Sequence, residues 1–126
     1  MKTGQMYIGG EWIDGAGTFV VSNKFTGEPV ATVQSASREQ VAQAVRAAAS
    51  AFTRLRLTPY ARYEILHRAA GLVESRRRDF VSSIVGESGF TVSDAEVEVS
   101  RTVQTFLLCA EEAKRITGEV DRKSVV

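Results

Sequence analysis

Three amphipathic helical stripes fill the last two thirds of the chain and constrain its fold more than any other feature. Apolar residues recur at helical spacing from Val41 to Phe52, across residues 65–85, and from Val99 to Ala113. Such a helix buries its stripe against another surface. The chain must therefore supply a large partner surface or form part of a larger structure.

Capping signals predict where the helices begin. Ser37 and Gln40 have the spacing of a capping box, which predicts the start of the first helix. Thr58 before Pro59 predicts the second start, because proline loses no hydrogen bond at the first helical position. Ser93 has a glutamate three residues later and predicts the third start. Glycines predict the end of the second helix, at Gly86 and Gly89, and of the third, at Gly118.

The first third of the chain is strand-like. Short β-branched or aromatic runs occupy residues 7–8, 12–13, 18–21 and 30–33. Pro29 predicts an edge strand or a strand start at that point. Gly9 and Gly10 are followed by another strand-like run, whereas a dinucleotide-binding loop needs GxGxxG opening a helix. We therefore predict a hairpin turn at Gly9 and Gly10.

Bulk composition excludes several classes of function. A length of 126 residues suits one domain, and a net charge of +1 gives no basis for a nucleic-acid or acidic membrane partner. The single cysteine excludes an internal disulfide and fits a reducing compartment. No apolar run approaches the roughly 20 residues that span a bilayer. We expect a cytoplasmic protein with no nucleic-acid or membrane partner.

The sequence contains few candidates for catalytic or metal-binding residues. Cys109 lies deep in a predicted helix, which favours a buried structural thiol over a nucleophile. His67 has no second histidine or cysteine at ligand spacing, so we interpret it as an exposed or half-buried helix residue. The arginines at positions 76–78 point in different directions on a helix and predict a solvated face. We therefore assign no catalytic, cofactor-binding or metal-binding residue from these patterns.

The motifs in their order are specific, although each one alone is weak. They are YIGGEW from Tyr7, SNKFTGEPVATVQSAS, SREQVAQAVRAAASAF, ARYEILHRAAGLVESRRRDFVSSIVGESG and TVSDAEVEVSRTVQTFLLCAEEAKRITGEV, which ends at Val120. This series resembles the N-terminal portion of the NAD(P)-dependent aldehyde dehydrogenase superfamily. Two departures, Lys24 for the family's proline and Phe90 for its lysine, look like subgroup variation.

The resemblance implies an α/β fold. Residues 1–120 would be the N-terminal strands and three flanking helices of a Rossmann-like cofactor-binding domain that is incomplete in this chain. The family oxidises an aldehyde to a carboxylic acid with NAD or NADP, through a cysteine thiohemiacetal and thioester, usually as a homodimer or homotetramer. Its oxyanion-hole Asn, cofactor-binding Lys, GxTxxG-type loop, general-base Glu and nucleophilic Cys all follow the segment present here. The 126-residue chain is therefore expected to be inactive.

The resemblance also implies one possible minor site. Some members bind a structural monovalent cation through an acidic residue on the third predicted helix, and Glu98 aligns there. The alternative interpretation is a surface or helix-pairing glutamate. For the whole chain there is an alternative that does not depend on the family resemblance. It is a short non-catalytic helical module that pairs with another protein.

The last six residues depart from the family pattern. Residues 121–126 read DRKSVV, which GATCGGAAGAGCGTCGTG would encode, and that DNA resembles a common sequencing adapter. We therefore expect residues 121–126 to be a non-native tail, to be excluded from fold reasoning.

Overall fold

The computed structural model describes residues 2–116, in which five strands precede four helices. The strands are β1 Lys2–Gly4, β2 Met6–Ile8, β3 Glu11–Ile13, β4 Gly17–Ser22 and β5 Pro29–Ser35. The helices are α1 Arg38–Arg54, α2 Pro59–Ser75, α3 Arg77–Ser88 and α4 Val92–Ala113. This order confirms the predicted α/β class. The predicted C-cap Gly118 and the tail at 121–126 lie outside the described residues.

A three-stranded sheet has the order β1-β5-β4, with β1 parallel and β4 antiparallel to β5. Strand β1 was not predicted, because Lys2-Thr3-Gly4 has no strand-like alternation. Its partner explains it: β5 offers a free edge, and Thr3 lies opposite Thr32. Pro29 is the first residue of β5 and β5 is central, so the strand-start alternative is the right one.

The predicted hairpin at the N-terminus is confirmed. Strands β2 and β3 are antiparallel, with Tyr7 opposite Trp12 and Ile8 opposite Glu11. The two-residue loop of Gly9 and Gly10 has φ values of 66° and 97°, as the favoured two-residue hairpin turn requires. The rings of Tyr7 and Trp12 lie 4.9 Å apart between centroids. Cross-strand aromatic contact therefore supports the turn.

The first two helix starts are confirmed. The Ser37 hydroxyl accepts from the Gln40 backbone N–H at 3.2 Å, and the Gln40 side chain accepts from the Ser37 N–H at 2.9 Å. At α2 the Thr58 hydroxyl accepts from the Ala61 N–H at 3.1 Å, with Pro59 in the first turn. Both caps satisfy backbone donors that a helix start leaves unpaired.

The prediction of a single second helix was wrong, because the chain breaks it at Arg76. That residue has φ −109° and ψ 21°, outside helical geometry, and separates α2 from α3. Beyond the break, Val81 of α3 belongs to one buried cluster with Val99 of α4. Gly86 lies inside α3, whereas Gly89 ends it as predicted, with φ 75°.

The start of the last helix was also misplaced. Thr91, and not Ser93, caps α4: its hydroxyl accepts from the Asp94 N–H at 3.2 Å and donates to the Asp94 carboxylate at 2.6 Å. Asp94 stands in the third helical position, so the N-cap lies two residues before the predicted one. Ser93 is inside the first turn and contacts the Thr91 hydroxyl at 3.0 Å.

The core lies between α2, α3 and α4. Val81, Ala95 and Val99 form its buried cluster, and three half-buried residues pack on it, namely Val73, Ile84 and Val85. Ala95 and Val99 are one helical turn apart, so α4 presents small and branched side chains to α3. By contrast, α1 contains no buried residue among those the structure describes. The helices therefore have more apolar surface than the described part of the chain covers, as the sequence predicted.

Candidate functional site

An open groove of about 600 Å³ lies between the first turns of α2 and the last turns of α4, and we call it the α2–α4 groove. Its wall is mainly apolar, with Leu57, Ile65, Leu66, Cys109, Ala113 and Ile116. Three charged residues also line it, Arg62, Glu112 and Arg115. Helical spacing brings these side chains together, since Cys109 and Ala113 are one turn apart on α4 and Ile65 and Leu66 follow Arg62 on α2.

The charged residues of the groove were not anticipated. The Arg115 guanidinium pairs with the Glu112 carboxylate at 2.7 Å, one turn earlier. Arg62 approaches from the other helix. A stripe in one helix does not reveal which other helix lies beside it, so the sequence held no signal that would have joined Arg62 to Glu112.

Cys109 is exposed, and the prediction of a buried thiol was wrong. The neighbouring residues explain this, because Leu108 is 63% exposed and Ala110 is fully buried. The buried face of α4 therefore passes through Ala110, and Cys109 faces the uncovered groove. Within residues 2–116 the thiol has no hydrogen-bond or ionic partner. The described residues thus provide no base for nucleophilic chemistry at Cys109.

His67 is exposed, as predicted, and belongs to an aromatic series along α2. Its ring lies 5.4 Å from that of Tyr63. The Lys114 ammonium lies 4.2 Å from the Tyr63 ring centroid and 2.8 Å from the Glu111 carboxylate. The hydrogen bond from Lys114 lowers the pKa of Glu111, and the positive charges nearby add to this. These contacts join α2 to α4.

Glu98 is half-buried on α4, and its carboxylate lies 3.0 Å from the Arg101 guanidinium. Both residues lie on α4, so this is an ion pair within one helix, which is closer to the surface alternative than to pairing between helices. No group of three or more His, Cys, Asp or Glu side chains that could hold a metal ion occurs in the part of the chain that the structure describes. The cation at Glu98 remains a prediction.

The three arginines at 76–78 do not form one patch, as predicted, but Arg77 is not simply solvated. Its side chain is 27% exposed and binds Glu74 at 2.7 Å. It also donates to the Ser100 hydroxyl at 3.1 Å and the Glu96 backbone carbonyl at 3.3 Å. Arg77 therefore ties α2, α3 and α4 together.

The Gly9–Gly10 turn does not have the geometry of a dinucleotide-binding loop. Gly9 and Gly10 turn from β2 into β3, so their backbone N–H groups do not open a helix as a pyrophosphate site requires. Three of the four described helix starts, at Ser37, Thr58 and Thr91, carry side-chain caps that occupy a backbone donor there, whereas the start of α3 has no side-chain cap. No helix in residues 2–116 has the length and apolar character needed to cross a membrane.

Comparison with known proteins identifies what this arrangement is similar to. The model of the aldehyde dehydrogenase family matches residues 12–125. 3-Sulfolactaldehyde dehydrogenase from Priestia aryabhattai is 39% identical over 114 residues, which are 90% of this chain and 24% of that protein. Succinate-semialdehyde dehydrogenase [NADP(+)] 2 from Schizosaccharomyces pombe is 34% identical over 124 residues, which are 96% of this chain and 25% of that protein. The chain thus spans about a quarter of the length of these relatives.

Solved structures with a similar fold are also aldehyde dehydrogenases. The NAD-dependent benzaldehyde dehydrogenase from Corynebacterium glutamicum aligns with a TM-score of 0.88 and 28% identity, over 93% of this chain and 26% of that one. Aldehyde dehydrogenase 21 from Physcomitrella patens, solved with the reaction product succinate, aligns with a TM-score of 0.89 and 29% identity. The alignment covers 99% of this chain and 26% of that one. The strands and helices described above therefore recur in chains about four times longer.

Proposed function

Since the chain belongs to the aldehyde dehydrogenase family, we propose that residues 1–120 are the N-terminal part of the cofactor-binding domain of an NAD(P)-dependent enzyme. The observation that carries this proposal is the match of 90% of the chain to 24% of 3-sulfolactaldehyde dehydrogenase. The complete protein would oxidise an aldehyde to a carboxylic acid with NAD or NADP as the electron acceptor.

The chain's own contribution is structural under this proposal. The Gly9–Gly10 turn joins two strands and the Cys109 thiol has no hydrogen-bond partner within residues 2–116, so no chemical step is assigned to either. The α2–α3–α4 core and the hairpin would form one flank of the domain. Assembly into a homodimer or homotetramer and a structural cation at Glu98 belong to the same proposal and rest on the family resemblance. A cytoplasmic location is also proposed and rests on the single cysteine.

The DNA downstream of codon 120 tests the proposal. We expect an in-frame GxTxxG segment, a Glu-Leu-Gly-Gly-like segment and a Gly-Gln-x-Cys-like segment, which would supply the missing loop, base and nucleophile. Residues 121–126 are proposed to be non-native, so resequencing should show a reading frame that runs past Val120 with different codons. A confirmed stop after Val126 with none of these segments would refute the proposal and favour the helical interaction module.

An activity assay tests the proposal that this chain by itself carries out no chemical step. The purified 126-residue chain, mixed with an aldehyde and NAD or NADP, should form no reduced nicotinamide beyond a control without protein. A full-length relative assayed in parallel shows that the conditions support turnover. Turnover by the short chain would mean that the described residues include a catalytic group that the geometry does not reveal.

A further inference from the structure

Helix α1 lies outside the apolar core of the described chain. None of its residues is buried among those that the structure describes. It approaches the β2–β3 hairpin at Gly9, where an added Cβ would lie 3.8 Å from the Ala47 Cβ. A contact between groups this small buries little apolar area. Apolar packing by the described residues therefore does not fix the direction of α1.

The peptide unit between Asp14 and Gly15 is held on both sides by glutamine side chains. Its carbonyl, which belongs to Asp14, accepts a hydrogen bond from Gln40 Nε2 at 2.9 Å. Its N–H, which belongs to Gly15, donates to Gln34 Oε1 at 2.9 Å. Gln34 lies on β5 and Gln40 on α1. Because a peptide unit is planar and rigid, the two bonds fix its position between the sheet and the helix.

The surroundings of this peptide unit are tightly fitted. Asp14 Oδ1 accepts from Gln5 Nε2 at 3.0 Å and lies 3.5 Å from Gln34 Nε2. Gly15 lies so near the end of β5 that an added Cβ would be 2.9 Å from the Ser35 nitrogen. That separation is too short for van der Waals contact, so the close approach of the two backbones requires glycine at position 15.

The Gln40 side chain also acts at the start of α1. Its Oε1 accepts from the Ser37 N–H at 2.9 Å, which completes the capping box. A capping box accepts either glutamate or glutamine at this position. Glutamine adds an N–H donor that glutamate lacks, and here that donor binds the Asp14 carbonyl. One side chain thus joins the helix start to a residue 26 positions earlier.

We propose that the Asp14–Gly15 peptide unit, with the side chains of Gln34 and Gln40, is a joint that sets the direction of α1. We call this arrangement the Asp14 joint. Gln40 is its positioning residue, because it carries the contact from the joint to the helix. The two residues that connect β5 to α1 each have two soft dihedral angles, so the connection alone leaves the direction of the helix free. The joint is independent of the function proposed for the complete protein.

Pulsed electron paramagnetic resonance on the full 126-residue chain tests the joint. Spin labels at Thr18→Cys on β4 and Ala49→Cys on α1, in a Cys109→Ser background, report the distance between the sheet and the helix. Both labelled positions are exposed. The labelled parent should give one narrow distance distribution, because the joint holds α1 in one direction.

Gln40→Glu retains the capping box and removes the donor to Asp14. The population outside the main distance peak should rise about fivefold, the factor expected for loss of one hydrogen bond. Helix content measured by circular dichroism should be unchanged. Gln34→Leu releases the other side of the same peptide unit and should broaden the distribution to a similar degree. Gln43→Glu is the matched control, since it adds the same charge at an exposed position of α1 and should leave the distribution narrow.

Four results would overturn the joint. A broad distribution in the labelled parent would show that α1 has no fixed direction. An unchanged distribution in Gln40→Glu would assign the direction to the connection from β5. Equal broadening in Gln43→Glu would make added charge the cause. Loss of helix content in Gln40→Glu would show that the bond to Asp14 supports helix formation and not the direction of the helix.

Discussion

Arg77 of α3 binds Glu74 of α2 through two parallel hydrogen bonds, from Nη2 to Oε2 at 2.7 Å and from Nε to Oε1 at 2.9 Å. The pair spans the break between the two helices at Arg76. A guanidinium and a carboxylate in this forked arrangement fix relative orientation as well as distance. The break between α2 and α3 is therefore held in a defined geometry.

Replacing Arg77 should loosen the junction of α2, α3 and α4. Arg77→Met removes the bonds to Glu74, Ser100 and the Glu96 carbonyl together. We expect faster amide hydrogen exchange in α3 and the first half of α4. Arg78→Met, an exposed neighbour, is the matched control and should leave exchange unchanged. Equal exchange in both variants would show that the pair does not hold the junction.

The same pair predicts a pH dependence. The hydrogen bond from Arg77 lowers the pKa of Glu74 below its ordinary value of 4.5. A carboxyl with a lowered folded pKa stabilises the folded state above its unfolded pKa, and this contribution is lost as pH falls through the folded value. Exchange protection of α3 should therefore fall below about pH 4.5, and Glu74→Gln should lack that part of the dependence. Parallel profiles for the two proteins would contradict the assignment.

Val99 is the central core residue and is only 2% exposed. Val99→Ala removes two methyl groups and leaves a cavity against Val81, which should cost roughly 2 kcal/mol in the free energy of unfolding. Urea unfolding, followed by the helical circular dichroism signal, measures this change in the free energy of unfolding. Val97→Ala, on the same helix but 55% exposed, should change the free energy by less than about 0.5 kcal/mol.

The hairpin should depend on glycine at position 10, where φ is 97°. A Cβ in this region is strained, so Gly10→Ala should destabilise the hairpin by roughly 1–2 kcal/mol. Trp12 is the single tryptophan and contacts Tyr7, so its fluorescence reports the hairpin. Gly17→Ala is the control, because Gly17 has no positive φ and an added Cβ would meet nothing within 4 Å. Similar spectra for both variants would show that the turn tolerates a side chain.

Cys109 should react with a thiol reagent in the folded, isolated chain. Its exposure predicts a rate of the same order as in denaturant, whereas burial predicts a rate limited by unfolding. Labelling with and without urea distinguishes the two. A large acceleration by urea would restore the sequence-based expectation of a buried thiol.

Local interactions determined what could be predicted from sequence. The capping box of Ser37, the cap at Thr58 and the turn at Gly9 and Gly10 each depend on residues within a few positions of one another. The partners of hydrogen bonds at such short range are set mainly by the neighbouring residue types, so the residue types predict them. The ordered motifs from Tyr7 to Val120 likewise indicated the family, which the match over residues 12–125 then showed.

Only the tertiary structure decided which faces meet. Next to the break at Arg76, Arg77 contacts α4, and β1 pairs with an edge of β5. The exposure of Cys109 depends on which turn of α4 faces α2. These features join residues distant in sequence, and helical or strand periodicity gives a face without its partner. The sequence by itself therefore determined the elements, their caps and the family, and tertiary packing decided where covered surface ends and uncovered apolar surface begins.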